Sequence, residues 1–140
     1  MDGKNVIVFF TVILVVAVLF LIAIKLTGKR KHKFNVEEYQ TRFLTINNNL
    51  NKDVPSTFMA TIIDADKLLD HALIEMGVPG KTMGDRLKRI GGKFSDINGV
   101  WRVHKLRNAL AHESDASVSH RQAVAALAVY RQALKDLGAI

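Results

Sequence analysis

The run NVIVFFTVILVVAVLFLIAI, residues 5–24, constrains this chain more than any other stretch. Its twenty residues carry no charge, and only Asn5 and Thr11 are polar. As an α-helix at about 1.5 Å per residue it is roughly 30 Å long, the thickness of one bilayer hydrocarbon core. A soluble helix this apolar would need a large core around it, and the rest of a 140-residue chain is too small to provide one. A cleaved signal peptide is the rival reading. It would have a shorter apolar core, basic residues in front and small residues at a cleavage site. Here the basic cluster follows the apolar run, and Lys25 to Lys33 contains no A-x-A-like site. The expectation is a retained anchor in residues 1–27, crossing the lipid bilayer through residues 5–24.

Charge sets the expected orientation. Before the span stand Asp2, Lys4 and the terminal amine; after it come Lys25, Lys29, Arg30, Lys31 and Lys33. Positive flanks stay in the cytoplasm, so the C-terminal part is expected there, in a single-pass protein of the cell membrane. The cluster can also hold anionic headgroups, although a topology signal alone explains it. The formal charge of +7 is concentrated in this cluster. From Phe34 onward there are 14 Lys+Arg and 12 Asp+Glu, a net of only +2. The basic balance is therefore no evidence for a nucleic-acid-binding face. There is no cysteine, which excludes disulfides and thiolate metal sites.

Beyond the cluster no strand-like alternation occurs, and helical patterns alternate with clear stops. Asn35 and Glu38 have capping-box spacing and open a helix with Val36, Tyr39, Phe43, Ile46 and Leu50 on one side. Residues 28–52 thus read as a basic juxtamembrane segment and a connecting helix. Asp53 and Pro55 start a second helix, with Phe58, Ile62, Ala65, Leu69, Ala72 and Met76 in a stripe and Gly77 as its cap. Thr82 and Asp85 start a short third helix that stops at Gly91-Gly92. A fourth runs from about Asp96 to His112 or Glu113. Ser119 and Gln122 open a last one through Ala123, Val124, Leu127, Tyr130, Leu134 and Leu137. The expected fold class is all-α: a transmembrane helix, the connecting helix, and an antiparallel four-helix bundle over 53–140, since short loops favour antiparallel neighbours.

Polar residues interrupt the apolar faces. At about 100° per residue, Asp66 falls between Leu73 and Met59, and Asp70 between Met59 and Ile63, so two acids lie inside the wide apolar arc of the second helix. Burying an unpaired carboxylate costs several kcal/mol, about 3 or more, so a cation should face them. On the fourth helix Ile97, Val100, Trp101, Val103 and Ala111 mark the apolar side. His104 and Asn108 fall inside that side, and Arg107 lies between Val100 and Val103. His104, Asn108 and His112 form one line at i, i+4, i+8. One reading is a polar seam: Asp66 or Asp70 pairs with Arg107, Asn108 caps carbonyls, and the network sets helix register. The other is that Arg107 and His112 face a cleft for phosphate.

The stretch LRNALAHES, 106–114, within HKLRNALAH, carries a resemblance. A helical domain whose late helix ends in R-N-x-x-x-H resembles the HEPN superfamily, whose hallmark is an arginine, a polar residue and, after four to six positions, a histidine. Here these are Arg107, Asn108 and His112, and the resemblance covers about residues 54–138. It implies a metal-independent ribonuclease working as a homodimer, with two copies of the motif in one cleft. In that reading His112 is general acid or base, a role suited to an imidazole. Arg107 stabilises charge on the phosphorane. Asn108 orients a side chain or the phosphate, with Asp66, Asp70 and His104 as supporting network. Other members are nucleotide-binding or interaction modules without nuclease activity.

Rival constellations carry less. His104 and His112 are eight apart with no third ligand, and Asp64 lies on the polar side away from Asp66 and Asp70, so no metal is expected. GVPGKT, 77–82, lacks the spacing and preceding strand of a phosphate loop, and no cofactor is expected. Trp101 is expected in the core or at a dimer interface, His71 and His120 in solvent. Arg86, Lys88, Arg89 and Lys93 read as a solvated face, with RNA-backbone tracking as the alternative. Two functions stay open: a membrane-tethered ribonuclease acting on cytoplasmic RNA, of toxin or defence type, and a non-catalytic module that binds a nucleotide or protein at the membrane.

Overall fold

A computed structural model describes residues 3–27 and 33–140, with no side chain described in 24–27. The cluster residues Lys25, Lys29, Arg30 and Lys31 therefore lie outside what is described; Lys33 is exposed. The protein is all-helical, with no strand among the described residues. Six helices follow one another: α1 Gly3–Thr27, α2 Val36–Asn48, α3 Ser56–Glu75, α4 Met83–Ile90, α5 Ile97–His112 and α6 His120–Leu137. A single 3-10 turn, Gly91–Lys93, separates α4 from α5.

The chain divides into two compact units, Met1–Lys31 and His32–Ile140. The first contains α1, whose stretch Gly3–Ala23 is long and apolar enough to cross a membrane, as a signal sequence near an N-terminus also can be. Its large apolar side chains are exposed, among them Phe9, Phe10, Leu14 and Phe20.

In the second unit the caps foreseen from sequence are in place. Asn35 accepts from the Glu38 backbone at 3.3 Å to start α2, while its own amide reaches the Glu38 carboxylate, not the backbone return of a full box. Thr82 and Asp85 form a complete capping box on α4, and Ser119 and Gln122 form one on α6. Gly138 closes α6 in the left-handed region at φ 75°, where a side chain would be strained. The start of α3 differs: Pro55 stands at the cap without a side-chain bond, and Thr57 Oγ1 instead binds the carbonyls of Asn51 and Val54.

α3 is the element on which the others pack. Its buried residues are Phe58, Thr61, Ile62, Ala65, Asp66, Leu68, Leu69, Ala72 and Leu73. At 100° per residue they span an arc of about 160°, wide enough for α2, α5 and α6 to pack on it, with α4 beside them. Directions follow from side-chain pairs. Phe58 and His120 stack edge to face at 5.5 Å and Tyr130 reaches Asp66, so α3 and α6 run the same way. Tyr39, early in α2, donates to Glu75 at the end of α3 at 2.5 Å, so those two run oppositely.

The boundary expected after residue 52 falls inside this unit. Tyr39 and Phe43 are buried and Ile46 and Leu50 half-buried, so the 3–4 stripe that defined a connecting helix seats α2 on α3. Phe43→Ala is expected to cost about 3–5 kcal/mol, read by urea denaturation of the full chain in detergent micelles, with one transition shared by all the helices of the second unit.

Candidate functional site

Asp66 is the polar centre of the unit. It lies at the edge of the α3 arc and its side chain is 5% exposed. Three cross-element partners surround it. Tyr130 of α6 donates to Oδ1 at 3.0 Å. His104 Nδ1 of α5 lies 2.9 Å from the same oxygen. Arg107 Nε of α5 is 3.4 Å from Oδ2, close enough for charge compensation but misaligned for a hydrogen bond, and Nε is buried without another partner. Burial, then the charge of Asp66 and the bond to it, push the Tyr130 hydroxyl far above the ordinary tyrosine range, which keeps it a donor.

Asn108 closes the network. Its Oδ1 accepts from Arg107 Nη1 at 3.1 Å, and its Nδ2 lies 3.3 Å from His104 Nε2. One proton arrangement runs through the network without a donor clash and leaves Arg107 Nε as its unbonded buried donor. Arg107 donates to Asn108, Asn108 donates to His104 Nε2, and His104 Nδ1–H donates to Asp66. A doubly protonated His104 would set two donors face to face at Asn108. Charge is thereby balanced by one carboxylate and one guanidinium, the condition under which a buried ion pair is tolerated.

The sequence placed Asp66, His104, Arg107 and Asn108 together, and they are together. Asp70 is a correction: its carboxylate does not meet Arg107. Arg86 of α4 binds it through Nε and Nη2, both at 2.8 Å, and Arg86 Nη1 donates to the Gly80 carbonyl at 2.6 Å. Asp70 lies about 40° beyond Asp66 on the helix wheel, which turns it from α5 toward α4. Arg86 is accordingly buried, at 7% exposure, and does not belong to a solvated face. Asn108 bonds side chains, where carbonyl capping was expected, and Ala111 is exposed, not on an apolar side. His120 is half-buried against Phe58. His71 is exposed as expected, although its Nδ1 lies 2.8 Å from the Tyr39 hydroxyl. Tyr130 and Arg86 were missed as network members. The available signals were a tyrosine in an apolar stripe, whose hydroxyl needs a partner, and two inward acids facing a helix with one inward arginine, since Arg102 is exposed.

His112 is exposed at the last position of α5. It makes no hydrogen bond among the described residues, yet it lines the same surface depression as Arg107, Asn108 and His104, of about 670 Å³ between α3, α4 and α5. Eight residues of helix put the His104 and His112 Cα atoms about 12 Å apart, too far to act on one phosphodiester together. Arg107 Nη2 is not buried and has no partner among the described residues. Lys88 and Lys105 also line the depression. Its acids are engaged: Asp66 by Arg107, Asp70 by Arg86, and Asp85 by Thr82, whose backbone hydrogen bond draws that carboxyl below its usual range. The remaining potential favours an anion. Among the described residues no three His, Asp or Glu side chains converge as metal ligands. No family model, curated protein or solved structure matches the chain.

Two roles are thus separable by stability. Asp66→Ala leaves the half-buried Arg107 guanidinium uncompensated and removes the buried acceptor of Tyr130 and His104, and should cost about 3–5 kcal/mol. Tyr130→Phe should cost about 1 kcal/mol, and His112→Ala no more than about 0.5 kcal/mol. Denaturation midpoints of the three proteins in micelles check the order.

Proposed function

We propose that α1 is a retained membrane anchor, oriented by the basic cluster after it, and that it carries a HEPN-like helical bundle in the cytoplasm, with α3 and α6 parallel where an antiparallel order was expected. We further propose that the depression between α3, α4 and α5 is a metal-independent ribonuclease site, completed by a second copy of the chain. One observation carries this reading. Within the R-N-x-x-x-H run, Asn108 is spent on the buried network, while Arg107 Nη2 and the His112 imidazole are unbonded on one depression whose Asp66 and Asp70 are paired with arginines.

The chemistry follows from those groups. His112 takes the proton of a ribose 2′-OH, and that oxygen attacks the adjacent phosphorus. The 5′ oxygen leaves with a proton, giving a 2′,3′-cyclic phosphate and a 5′-OH. Arg107 donates from Nη2 to the non-bridging oxygens as charge builds on them. Asp66 holds Arg107 beside Oδ2, and the Asn108 bridge fixes the guanidinium plane, so little reorganisation is needed in the transition state. One chain offers one exposed histidine at the depression, and the acid for the leaving oxygen comes from the partner copy.

A second reading has its own support. Arg107, Asn108, His104, Asp66 and Tyr130 are joined to one another without any ligand, as a register-setting seam in a non-catalytic nucleotide- or protein-binding module would be. The two readings part in one experiment. The full chain in micelles is incubated with mixed single-stranded and structured RNA in EDTA, beside His112→Ala. Cleavage to 2′,3′-cyclic phosphate ends by the parent protein, reduced at least about 100-fold in the variant, is the expected result. Folded, dimeric parent protein that cleaves nothing would reject the nuclease in favour of the module.

A further inference from the structure

Residues of α4 and Trp101 of α5 also line the depression, and three features there have no structural explanation. The first is the indole. Trp101 is half-buried, its ring meeting His104 edge to face at 6.1 Å. The indole N–H has no hydrogen-bond partner among the described residues and is not buried. A core tryptophan ordinarily spends that donor.

The second is Gly84. It sits in the first turn of α4, where glycine is a poorer helix former than alanine. Its φ is not positive, and nothing crowds it: a Cβ there would meet Trp101 Cη2 at 3.5 Å and Cζ3 at 3.7 Å, ordinary contact. Neither conformation nor space demands a glycine. Its effect is to spare the six-membered edge of the indole the contact that a Cβ would make.

The third is the continuation of positive charge. Lys88 and Asp85 line this depression and also a second one beside it, whose other walls are Gly80, Lys81 and Arg89. Asp85 is held in the α4 capping box, so the connecting strip presents Lys88, Lys81 and Arg89.

We propose that the groove between α4 and α5 is a binding subsite for single-stranded RNA. An unpaired base lies against Trp101 over Gly84, and the adjoining phosphates run along Lys88 toward Lys81 and Arg89. The proposal deepens the ribonuclease reading of the depression and rests on it. An aromatic platform next to a basic track is the pairing that recognises single strands, because a base inside a duplex cannot leave its stack to reach the ring. Gly84 thereby becomes a specificity position: it keeps the platform open.

Trp101 is the only tryptophan in the chain, so the ring reports on itself. The full chain in micelles is titrated with a labelled eight-nucleotide single strand carrying 2′-O-methyl groups, which block cleavage. Binding is followed by anisotropy of the label and stacking by tryptophan emission. Quenching on binding is expected, with much less from an abasic strand of equal length or from a duplex. Trp101→Leu should weaken binding about tenfold. Lys88→Ala should lower the slope of log affinity against log salt by about 0.7. Gly84→Ala is the sharpest test, since the substitution suits the helix: its melting temperature should stay level or rise while affinity falls and quenching shrinks. Binding that depends on Arg107, with no quenching and full affinity in Trp101→Leu and Gly84→Ala, would overturn the subsite and leave the ribonuclease reading standing. Equal binding of duplex and single strand with equal quenching would overturn the strand preference. No binding of any RNA by a folded chain would overturn both readings together.

Discussion

A carboxylate with 5% exposure in the middle of the central helix is the constraint on which this unit turns. Asp66 cannot be buried alone, because desolvating the charge costs more than the unit's apolar packing can spare. Its neutralisation recruits α5 through His104 and Arg107 and α6 through Tyr130. Apolar side chains can slide past one another at modest cost; these three polar contacts cannot. They fix the register of α5 against α3, and so they fix where Arg107 and His112 emerge. A second buried pair, Asp70 with Arg86, does the same for α4 and ties the Gly80 turn to it.

The direction of the hydrogen bonds matters as much as their number. Donors run from Arg107 through Asn108 and His104 to Asp66, ending on an acceptor with no proton to pass on. His104 is saturated by this chain, and His112, two turns further along α5, is outside it. One helix thus supplies a structural histidine and an accessible one, with the arginine between them serving both ends. A guanidinium held by Asp66 and Asn108, with Nη2 unbonded among the described residues, is preorganised for a phosphoryl oxygen in the proposed site. Tethering through α1 would confine such a site to RNA near the membrane.

Much of this was readable from residue types and spacing. The caps at Thr82 and Ser119, and Gly77 after α3, are local chemistry and need no tertiary knowledge. The demand that Asp66 meet a cation followed from a helix wheel and a desolvation cost. What a wheel gives is a face, not a neighbour. Two acids 40° apart turned out to face different helices, so Asp70 went to Arg86 and not to Arg107. Arg86 was missed because α4 is short and its basic residues look alike in sequence; only the fold shows that one is buried while Lys88 and Arg89 are exposed. Tyr130 was counted as apolar because its stripe position hides its hydroxyl. The aromatic stripe of α2 was visible, but which helix would cover it was not. Trp101 packs half-buried against the core, as expected, while its neighbour Gly84, seventeen positions earlier, is a tertiary contact that the α5 pattern does not show.

In the proposed site the Asp66 network holds Arg107 and His104 fixed while His112 and Arg107 Nη2 remain free for phosphate. Side-chain nitrogen NMR of the full chain in micelles, with ¹⁵N in histidine and arginine, tests it most directly. The account predicts that His104 shows the Nδ1–H tautomer with and without a 2′-O-methyl RNA strand, while His112 and the Arg107 Nη resonances shift as the strand is added. A His104 that changes tautomer or protonation on binding, with His112 unmoved, would contradict it.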